Sequence, residues 1–314
     1  MDRVTGGWIN GFIGMLIFAG SLPATRAAVT DFDPTFLTSA RASLAALLGL
    51  VVLVALRQRR PGLGDLPSLT LVALGVVLGF PLLSALALQH VSSAHSTVFI
   101  GLLPLCTAAF GVLRGGERPR PAFWVFSLLG SSLVVGYALL NGVQASIQGD
   151  VLMLAAIVVC GLGYAEGARL ARKLGSWQVI CWALVLSLPV MLPVAMFSMP
   201  ASFDHVGARA WSGLAYVSVF SMLIGFVFWY RGLAQGGIAV VGQLQLLQPF
   251  FALGLAALLL DETVSATMLA VTLCAVACVT TAKRFAGSPG PLVASRLEPA
   301  CQQAKDLVHQ GGPH

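Results

Sequence analysis

Charged side chains are scarce in this chain: Asp, Glu, Lys and Arg together make up 10% of its 314 residues. A water-soluble surface needs roughly a quarter to a third of charged residues, so this composition excludes a soluble domain. Hydrophobic residues account for 57% of the chain and gather in long runs. The composition therefore predicts a membrane protein with several spans.

Motifs of several other protein classes are absent as well. The six cysteines are scattered without a CxxC pair, and no HExxH or similar spacing occurs, so we expect packing cysteines, no metal site and no cofactor. No Walker A pattern is present, which argues against ATP-driven transport. Intramembrane ionisable groups are few and dispersed, whereas a polytopic membrane enzyme needs them clustered at one depth. The sequence therefore predicts that the protein is not an enzyme.

Ten apolar stretches are each long enough to cross a bilayer, whose hydrocarbon core needs about 20 helical residues. They lie at residues 8–29, 34–56, 66–89, 92–113, 121–140, 150–171, 176–199, 209–233, 238–260 and 264–282. We therefore predict an all-α polytopic protein with ten transmembrane helices and short loops. Residues 285–314 are rich in Gly, Pro and polar side chains, which predicts a disordered tail.

Basic residues fall on one side of this predicted topology. If the N-terminal residues 1–7 are cytoplasmic, the inner face carries Arg3, Arg57, Arg59, Arg60, Arg114, Arg118, Arg120, Arg169, Arg172, Lys173, Arg231, Lys283, Arg284, Arg296 and Lys305. This positive-inside bias predicts that both termini are cytoplasmic, and it accounts for the net charge of +6 without a nucleic-acid partner. The frequent Arg, Ala, Gly and Leu indicate a bacterium, and hence its inner membrane.

The two halves of the chain share a spacing. Leu102-Leu103-Pro104 is followed thirteen residues later by Glu117, and Leu247-Gln248-Pro249 is followed thirteen residues later by Glu262. Two consecutive units of five spans must insert with opposite orientations. We therefore predict that residues 8–140 and 149–284 form two inverted five-helix repeats, the arrangement that underlies alternating access in many carriers.

On these residues the chain resembles the EamA type of the drug/metabolite transporter (DMT) superfamily. The resemblance covers about residues 8–284 and rests on Arg41 in span two, on the Pro-to-Glu spacing of both halves, and on Gly149-Asp150 at the start of the second half. It implies a secondary transporter, mostly an exporter of amino acids, metabolites or drugs. It also implies that spans one, three, four, six, eight and nine line the cavity.

Span nine carries the best candidates for solute binding. Gln243, Gln245 and Gln248 precede Pro249, and proline frees a backbone carbonyl one turn earlier. Gln245 and Gln248 are three residues apart and are expected to share a face. These polar groups predict either a solute site or hydrogen bonds between helices. Pro104 is expected to kink span four at the matching depth.

Glu166 and Tyr164 are the candidates in span six. Glu166 is interpreted either as a protonatable group that couples transport to a proton gradient or as the partner of Arg169 in an i,i+3 ion pair. Trp229 and Tyr230, at the end of span eight, are expected to form an aromatic belt at the inner interface.

Arg41 and Ser21 are candidates in the outer half of the cavity. Arg41 is interpreted as a cation that meets a solute carboxylate, or as a side chain that reaches the outer interface or pairs with Asp31 or Asp33. Ser21 of span one is expected to line the cavity.

Glu117 and Glu262 are interpreted as structural loop acids. Each lies in a loop that enters the next span, where a negative charge near a helix N-terminus contributes about 0.3–1 kcal/mol. For Glu117 the alternative is a gate latch with Arg114 or Arg118.

These observations predict an inner-membrane secondary transporter that exports a small solute by alternating access, with proton coupling through Glu166. An uncoupled facilitator and a non-transport scaffold or sensor are the alternatives. The expected partners are a small-molecule substrate and membrane lipid. Small residues in spans five and ten are typical of packing or homodimer surfaces.

Overall fold

The computed structural model describes residues 3–87, 90, 99–140, 146–260 and 266–285, and in these ranges it contains helices and no strand. The α-helices are α1 (Arg3–Ala19), α2 (Ser21–Ala28), α3 (Pro34–Ala55), α4 (Leu66–Val72), α5 (Phe80–Ala87), α6 (Leu103–Gly115), α7 (Pro121–Leu140), α8 (Ile147–Leu174), α9 (Ser176–Phe197), α10 (Ala208–Ala215), α11 (Phe226–Gly236), α12 (Ile238–Gly242), α13 (Gln248–Leu260) and α14 (Ala266–Arg284). The helical stretches of other types are the 3-10 helices Leu63–Asp65 and Gln243–Leu247 and the π-helices Ala73–Gly79 and Tyr216–Gly225.

Several helices are long and apolar enough to cross a membrane. Those of full length are Val4–Thr25, Pro34–Ala55, Leu63–Ser84, Ile147–Leu174, Ser176–Phe197 and Ala208–Gly236. Shorter apolar helices lie at Leu103–Gly115, Pro121–Tyr137 and Ile238–Ala252. The protein is thus an all-helical polytopic membrane protein, whereas the count of ten spans and the inverted arrangement of the halves stay predictions. The predicted tail lies outside the described residues beyond Phe285.

Helix α8 lies at the centre of the bundle, where it contacts α4, α5, α6, α9 and α11. Around it, α1 packs along α11, α3 along α9 and α7 along α14. Apolar side chains also point outward from the bundle, including Val51 and Val54 on α3 and Val190 on α9. Such an outward apolar face is stable in lipid rather than in water.

Glycines allow α1 and α11 to approach backbone to backbone. A Cβ atom on Gly232 would lie 2.6 Å from the Cα of Gly11, and one on Gly14 would lie 2.9 Å from the backbone nitrogen of Trp229. Only glycine permits this separation, as in small-residue interfaces between membrane helices. The contact draws the middle of α11 into the interior of the bundle.

Both candidate prolines stand where the helix geometry changes. Helix α6 begins at Leu103 and holds Pro104 in its first turn, where the missing N–H costs little. Pro249 is in the first turn of α13 and follows the 3-10 helix Gln243–Leu247. In that helix the Gln248 amide donates to the Gln245 carbonyl, which is the group that Pro249 cannot reach. The carbonyl that we expected to be free therefore has a partner.

Candidate functional site

Four aromatic side chains from three helices meet in the interior. Phe18 of α1 lies 5.0 Å from Phe226 and 6.0 Å from Trp229, between ring centroids. Tyr164 of α8 lies 5.6 Å from Trp229 and 6.1 Å from Phe226. All four are more than nine-tenths buried. The cluster offers edges and faces of aromatic rings to anything that enters the centre of the bundle.

The predicted aromatic belt at the end of span eight is wrong. Trp229 and Tyr230 have no exposed surface, and the Tyr230 hydroxyl donates to the Gly163 carbonyl at 3.3 Å. The physical reason is the glycine contact between α1 and α11, which places this turn inside the bundle instead of at the membrane surface.

Gln245 brings an unsatisfied amide to the aromatic cluster. Its side chain is 2% exposed, and neither its Oε1 nor its Nε2 has a hydrogen-bond partner. The amide lies beside the Tyr164 hydroxyl without meeting hydrogen-bond geometry. The indole nitrogen of Trp229 is also buried and unpaired. Each buried polar atom without a partner costs about 1–3 kcal/mol, so a wetted cavity or a bound solute would relieve this cost.

The three glutamines of span nine do not act together. In a 3-10 helix, residues three apart eclipse each other, so Gln245 shares a side with Gln248, as predicted, while Gln243 shares a side with Leu246. Leu246 packs against Gly130 of α7, on another side of the segment. Gln243 is buried; its Nε2 donates to the carbonyl of Ala239 at 3.4 Å, whereas its Oε1 has no partner. This geometry sets Gln243 apart from the other two.

The contacts described for Arg41 and Ser21 do not involve the aromatic cluster. The Nε of Arg41 is buried without a partner, and neither nearby acid forms an ion pair with Arg41 in the described part of the chain. Asp33 instead accepts from the backbone amide of Thr35 at 2.8 Å and caps α3, and Asp31 accepts from the Gly207 amide at 2.8 Å.

Ser21 links the first helices to span eight. Its hydroxyl donates to Oγ of Ser221 at 2.8 Å, and the nearby Tyr216 hydroxyl donates to the carbonyl of Ile17 at 3.0 Å. Ser221 belongs to the π-helix Tyr216–Gly225, so a polar contact lies where the regular helix is interrupted.

Glu166 is held by two arginines. Its side chain has no exposed surface, and its carboxylate accepts from Nε of Arg114 at 3.0 Å and from Nη2 of Arg169. Arg169 also donates to the hydroxyl of Ser68 at 3.0 Å. The arginine side chains are 43% and 44% exposed, so water reaches them on one side while the carboxylate lies inside. The i,i+3 pair is present, and Arg114 adds a second cation from α6.

Glu117 caps a helix of the other half. Its two carboxylate oxygens accept from the backbone amides of Ile238 at 2.6 Å and Ala239 at 2.8 Å, which are the first residues of α12. Its ion pair is with Arg172 of α8, at 3.2 Å, rather than with Arg114 or Arg118. Both oxygens of this nearly buried side chain therefore join the loop after α6 to the start of span nine. Its counterpart Glu262 lies outside the described residues.

Further polar contacts extend this connection along the end of α8. Lys173 pairs with the buried Asp65 at 2.6 Å, and Nε of Arg172 donates to the carbonyl of Ala234 at 3.2 Å. We call the connected residues the α8 ion-pair cluster: Asp65, Arg114, Glu117, Glu166, Arg169, Arg172 and Lys173. The cluster ties α8 to the starts of α4 and α12 and to the end of α6.

Both halves of the chain match the same family of known proteins. A family model described as the EamA-like transporter family matches residues 5–141 and again residues 147–282. The chain belongs to the EamA-like transporter family. This membership confirms the resemblance to the DMT superfamily, and the names of the family and of its members indicate a multi-pass membrane transporter rather than an enzyme.

Relatives of this EamA-like transporter carry transporter names. A Bacillus subtilis (strain 168) protein described as "Uncharacterized transporter YdeK" is 65% identical over 286 residues, which cover 91% of this chain and 100% of that protein. A Streptantibioticus cattleyicolor protein described as "Probable terminal-alkyne amino-acid exporter" is 23% identical, and the match covers 72% of this chain and 75% of that protein. A solved crystal structure shares the fold with a TM-score of 0.75 at 20% identity, covering 94% of this chain and 99% of that chain.

Sequence reasoning missed two features of the site. Phe18 has no polar atom and no motif, so nothing in its surroundings in the sequence marks it as part of the aromatic cluster. Sequence proximity suggests Glu117 as the partner of Arg114, whereas Arg114 binds Glu166, 52 residues away. The inner loops' excess of arginine is a visible signal, but it does not say which arginine meets which acid.

Proposed function

We propose that this protein is an inner-membrane secondary transporter that exports a small metabolite, amino acid or drug-like compound by alternating access. The observation that carries the proposal is the Gln245 amide, buried beside the aromatic cluster with both of its polar atoms unpaired. In a transporter, such atoms are expected to face the route of the solute. The name of the S. cattleyicolor relative, an amino-acid exporter, supports this class of solute.

The chemistry of the central residues favours an uncharged or zwitterionic solute. The Gln245 amide offers one acceptor and one donor group, Trp229 offers one N–H donor, and Tyr164 offers a hydroxyl. The surrounding rings of Phe18 and Phe226 suit an apolar side chain. Arg41, whose Nε lacks a partner, lies apart from the aromatic cluster and is a separate candidate to meet a carboxylate on the solute.

The α8 ion-pair cluster supplies a closed cytoplasmic end in this account. Basic residues mark this end of the spans as cytoplasmic by the positive-inside rule. The cluster joins segments of both halves, so the inward-open state requires several of its contacts to separate. Two inverted halves would provide two such states of similar energy, open to opposite sides.

Proton coupling would act on the same cluster. A proton on Glu166 would neutralise the carboxylate that holds Arg114 and Arg169, and the two arginines would then repel each other without compensation. A proton that arrives from the outer side would therefore favour separation of the cluster, and it would leave to the cytoplasm from the inward-open state. An uncoupled facilitator remains the alternative, in which thermal motion alone separates these contacts.

The test is solute uptake into inside-out vesicles that contain the protein, with labelled amino acids (including a terminal-alkyne amino acid), metabolites and cationic dyes. Uptake above that of empty vesicles is expected for at least one solute, and it should collapse with a protonophore. Uptake that survives the protonophore would favour the facilitator. Vesicles that take up none of these solutes would contradict the proposal and favour the scaffold or sensor.

Within the same assay, Glu166→Gln separates coupling from transport. The variant should lose the response to the protonophore while it still equilibrates the solute, because the amide cannot carry the proton. Full coupled uptake by this variant would exclude Glu166 as the coupling group.

A further inference from the structure

A basic cleft opens at the end of the molecule where the α8 ion-pair cluster lies, away from the centre of that cluster. It has a volume of about 330 Å³ and is lined by the loop after α3 and by the turn between α8 and α9, including Arg57, Arg59, Arg60, Lys173, Gln178 and Trp182. The proposed transport route does not use it.

The backbone after α3 turns sharply and carries the arginines into this cleft. Helix α3 ends with the Gln58 amide donating to the Leu53 carbonyl at 2.9 Å, and Arg57 takes a left-handed conformation with φ of 49°. This is the geometry of a Schellman cap, in which the left-handed position is usually glycine. The turn leaves Arg57, Arg59 and Arg60 in succession on the cleft wall.

The positive charge of the cleft is largely uncompensated. Of its four cations, Lys173 is paired with Asp65 at 2.6 Å. The side chains of Arg57, Arg59 and Arg60 are exposed, and no ion pair joins them to any residue among those described. Three unpaired guanidinium groups beside one small cleft favour an anion, and guanidinium geometry matches phosphate oxygens.

A second feature of the cleft calls for a hydrogen-bond donor on the ligand. The Oε1 atom of Gln178 is buried and has no partner. A phosphate diester has no hydroxyl of its own to donate to this acceptor, but a hydroxyl group near the phosphate can donate once the Gln178 side chain turns toward the cleft. A phosphate diester with a hydroxyl-bearing substituent fits this chemistry, and so does a free phosphate that carries its own hydroxyl.

The surroundings of the cleft favour a lipid over a free phosphate compound. Helix α3 presents exposed apolar side chains immediately before the cleft, with Val51 64% and Val54 68% exposed. Trp182 adds a half-buried indole to the wall, a residue typical of the level of lipid headgroups. Basic pockets between membrane helices on the cytoplasmic side are a known way to bind anionic lipid headgroups.

We propose that this cleft binds the headgroup of an anionic glycerophospholipid that carries a hydroxyl group, with its phosphate at Arg57, Arg59 and Arg60 and its hydroxyl at Gln178. The acyl chains lie along the apolar face of α3. The probe for this chemistry is dioleoylphosphatidylglycerol.

The first test is native mass spectrometry of the purified full-length protein with dioleoylphosphatidylglycerol or dioleoylphosphatidylcholine. The charged lipid should be retained and the zwitterionic lipid should not. Each basic residue beside an anionic lipid contributes about fivefold to affinity, so Arg59→Gln with Arg60→Gln should weaken binding on the order of 25-fold. The matched control, Arg118→Gln with Arg231→Gln, removes two exposed basic residues outside the cleft and should retain the lipid.

The second test isolates the hydroxyl contact. Gln178→Leu should weaken binding of phosphatidylglycerol by about fivefold, the value of one hydrogen bond, while dioleoylphosphatidylmethanol, which has the same charge but no headgroup hydroxyl, should bind the variant and the parent protein equally. Equal retention of phosphatidylcholine, equal loss in the control variant, or displacement of the lipid by millimolar inorganic phosphate would each overturn the proposal. The last result would identify a site for free phosphate.

Discussion

Replacing Glu166 by Gln probes how firmly the cytoplasmic end is held closed. Two charge-assisted hydrogen bonds, each worth about 1.5–3 kcal/mol, join its carboxylate to Arg114 and Arg169. Glutamine keeps one neutral acceptor, and water reaches both arginines, so only part of this energy is lost. We expect the closed state to lose about 2 kcal/mol, which raises the population of the open state by about 30-fold.

Cys160 reports this opening from within the bundle. It is 1% exposed and lies on α8 six residues before Glu166, about 9 Å deeper at 1.5 Å per residue. The assay uses a chain in which the other cysteines are replaced by serine. In inside-out vesicles, Glu166→Gln should raise the labelling rate of Cys160 by an impermeant thiol reagent about 30-fold. The rise follows because the reagent can enter only through an open cytoplasmic end.

Two controls separate opening from unfolding. In the first control Cys181 is the single reporter instead of Cys160. Cys181 is 2% exposed and lies on α9 against α3. Its labelling rate should remain slow, because it does not face the proposed entrance. Asp204→Asn removes an exposed acid on another loop and should leave the Cys160 rate unchanged. An unchanged Cys160 rate in Glu166→Gln, or an equal acceleration at Cys181, would refute the reasoning.

Three further predictions concern stability and topology. Glu117→Gln should lower the unfolding free energy by about 1–2 kcal/mol in detergent, the value of a helix cap. An unchanged melting temperature would show that Glu117 does not stabilise the start of α12. Gly232→Ala should destabilise by about 1–3 kcal/mol through backbone overlap with α1, while Gly136→Ala, with open space around it, should be neutral or stabilising in the same thermal melt; similar effects of both would contradict the close contact. Cysteines at Arg118 and Glu262 should label from opposite sides of the membrane, and labelling from one side would refute the inverted repeat.

Composition and hydropathy are enough to predict the class of protein. A run of about 20 apolar residues is a local property of the chain, so hydropathy alone locates the six full-length membrane helices of the described residues, while the count of ten stays a prediction. The family is also predictable, because the Pro-to-Glu spacing and Arg41 are short-range patterns.

The contacts that define the site depend on distant segments and could not be predicted. Glu117 binds the amide of Ile238, 121 residues away, and the middle of α11 is buried because glycines of α1 meet it. Sequence proximity groups Gln243 with Gln245. Their spacing of two residues nevertheless places them on different sides, about 160° apart in an α-helix and about 120° apart in the 3-10 helix before Pro249.

Solute affinity in the Gln245→Leu variant tests the central claim most directly. Two neutral hydrogen bonds to a solute are worth about 2 kcal/mol together, so the KM for a solute found in the vesicle screen should rise about 30-fold. The same change at Gln243, which faces another side, should alter KM far less. A KM unchanged in Gln245→Leu, or a larger increase in Gln243→Leu, would contradict a solute site beside the aromatic cluster.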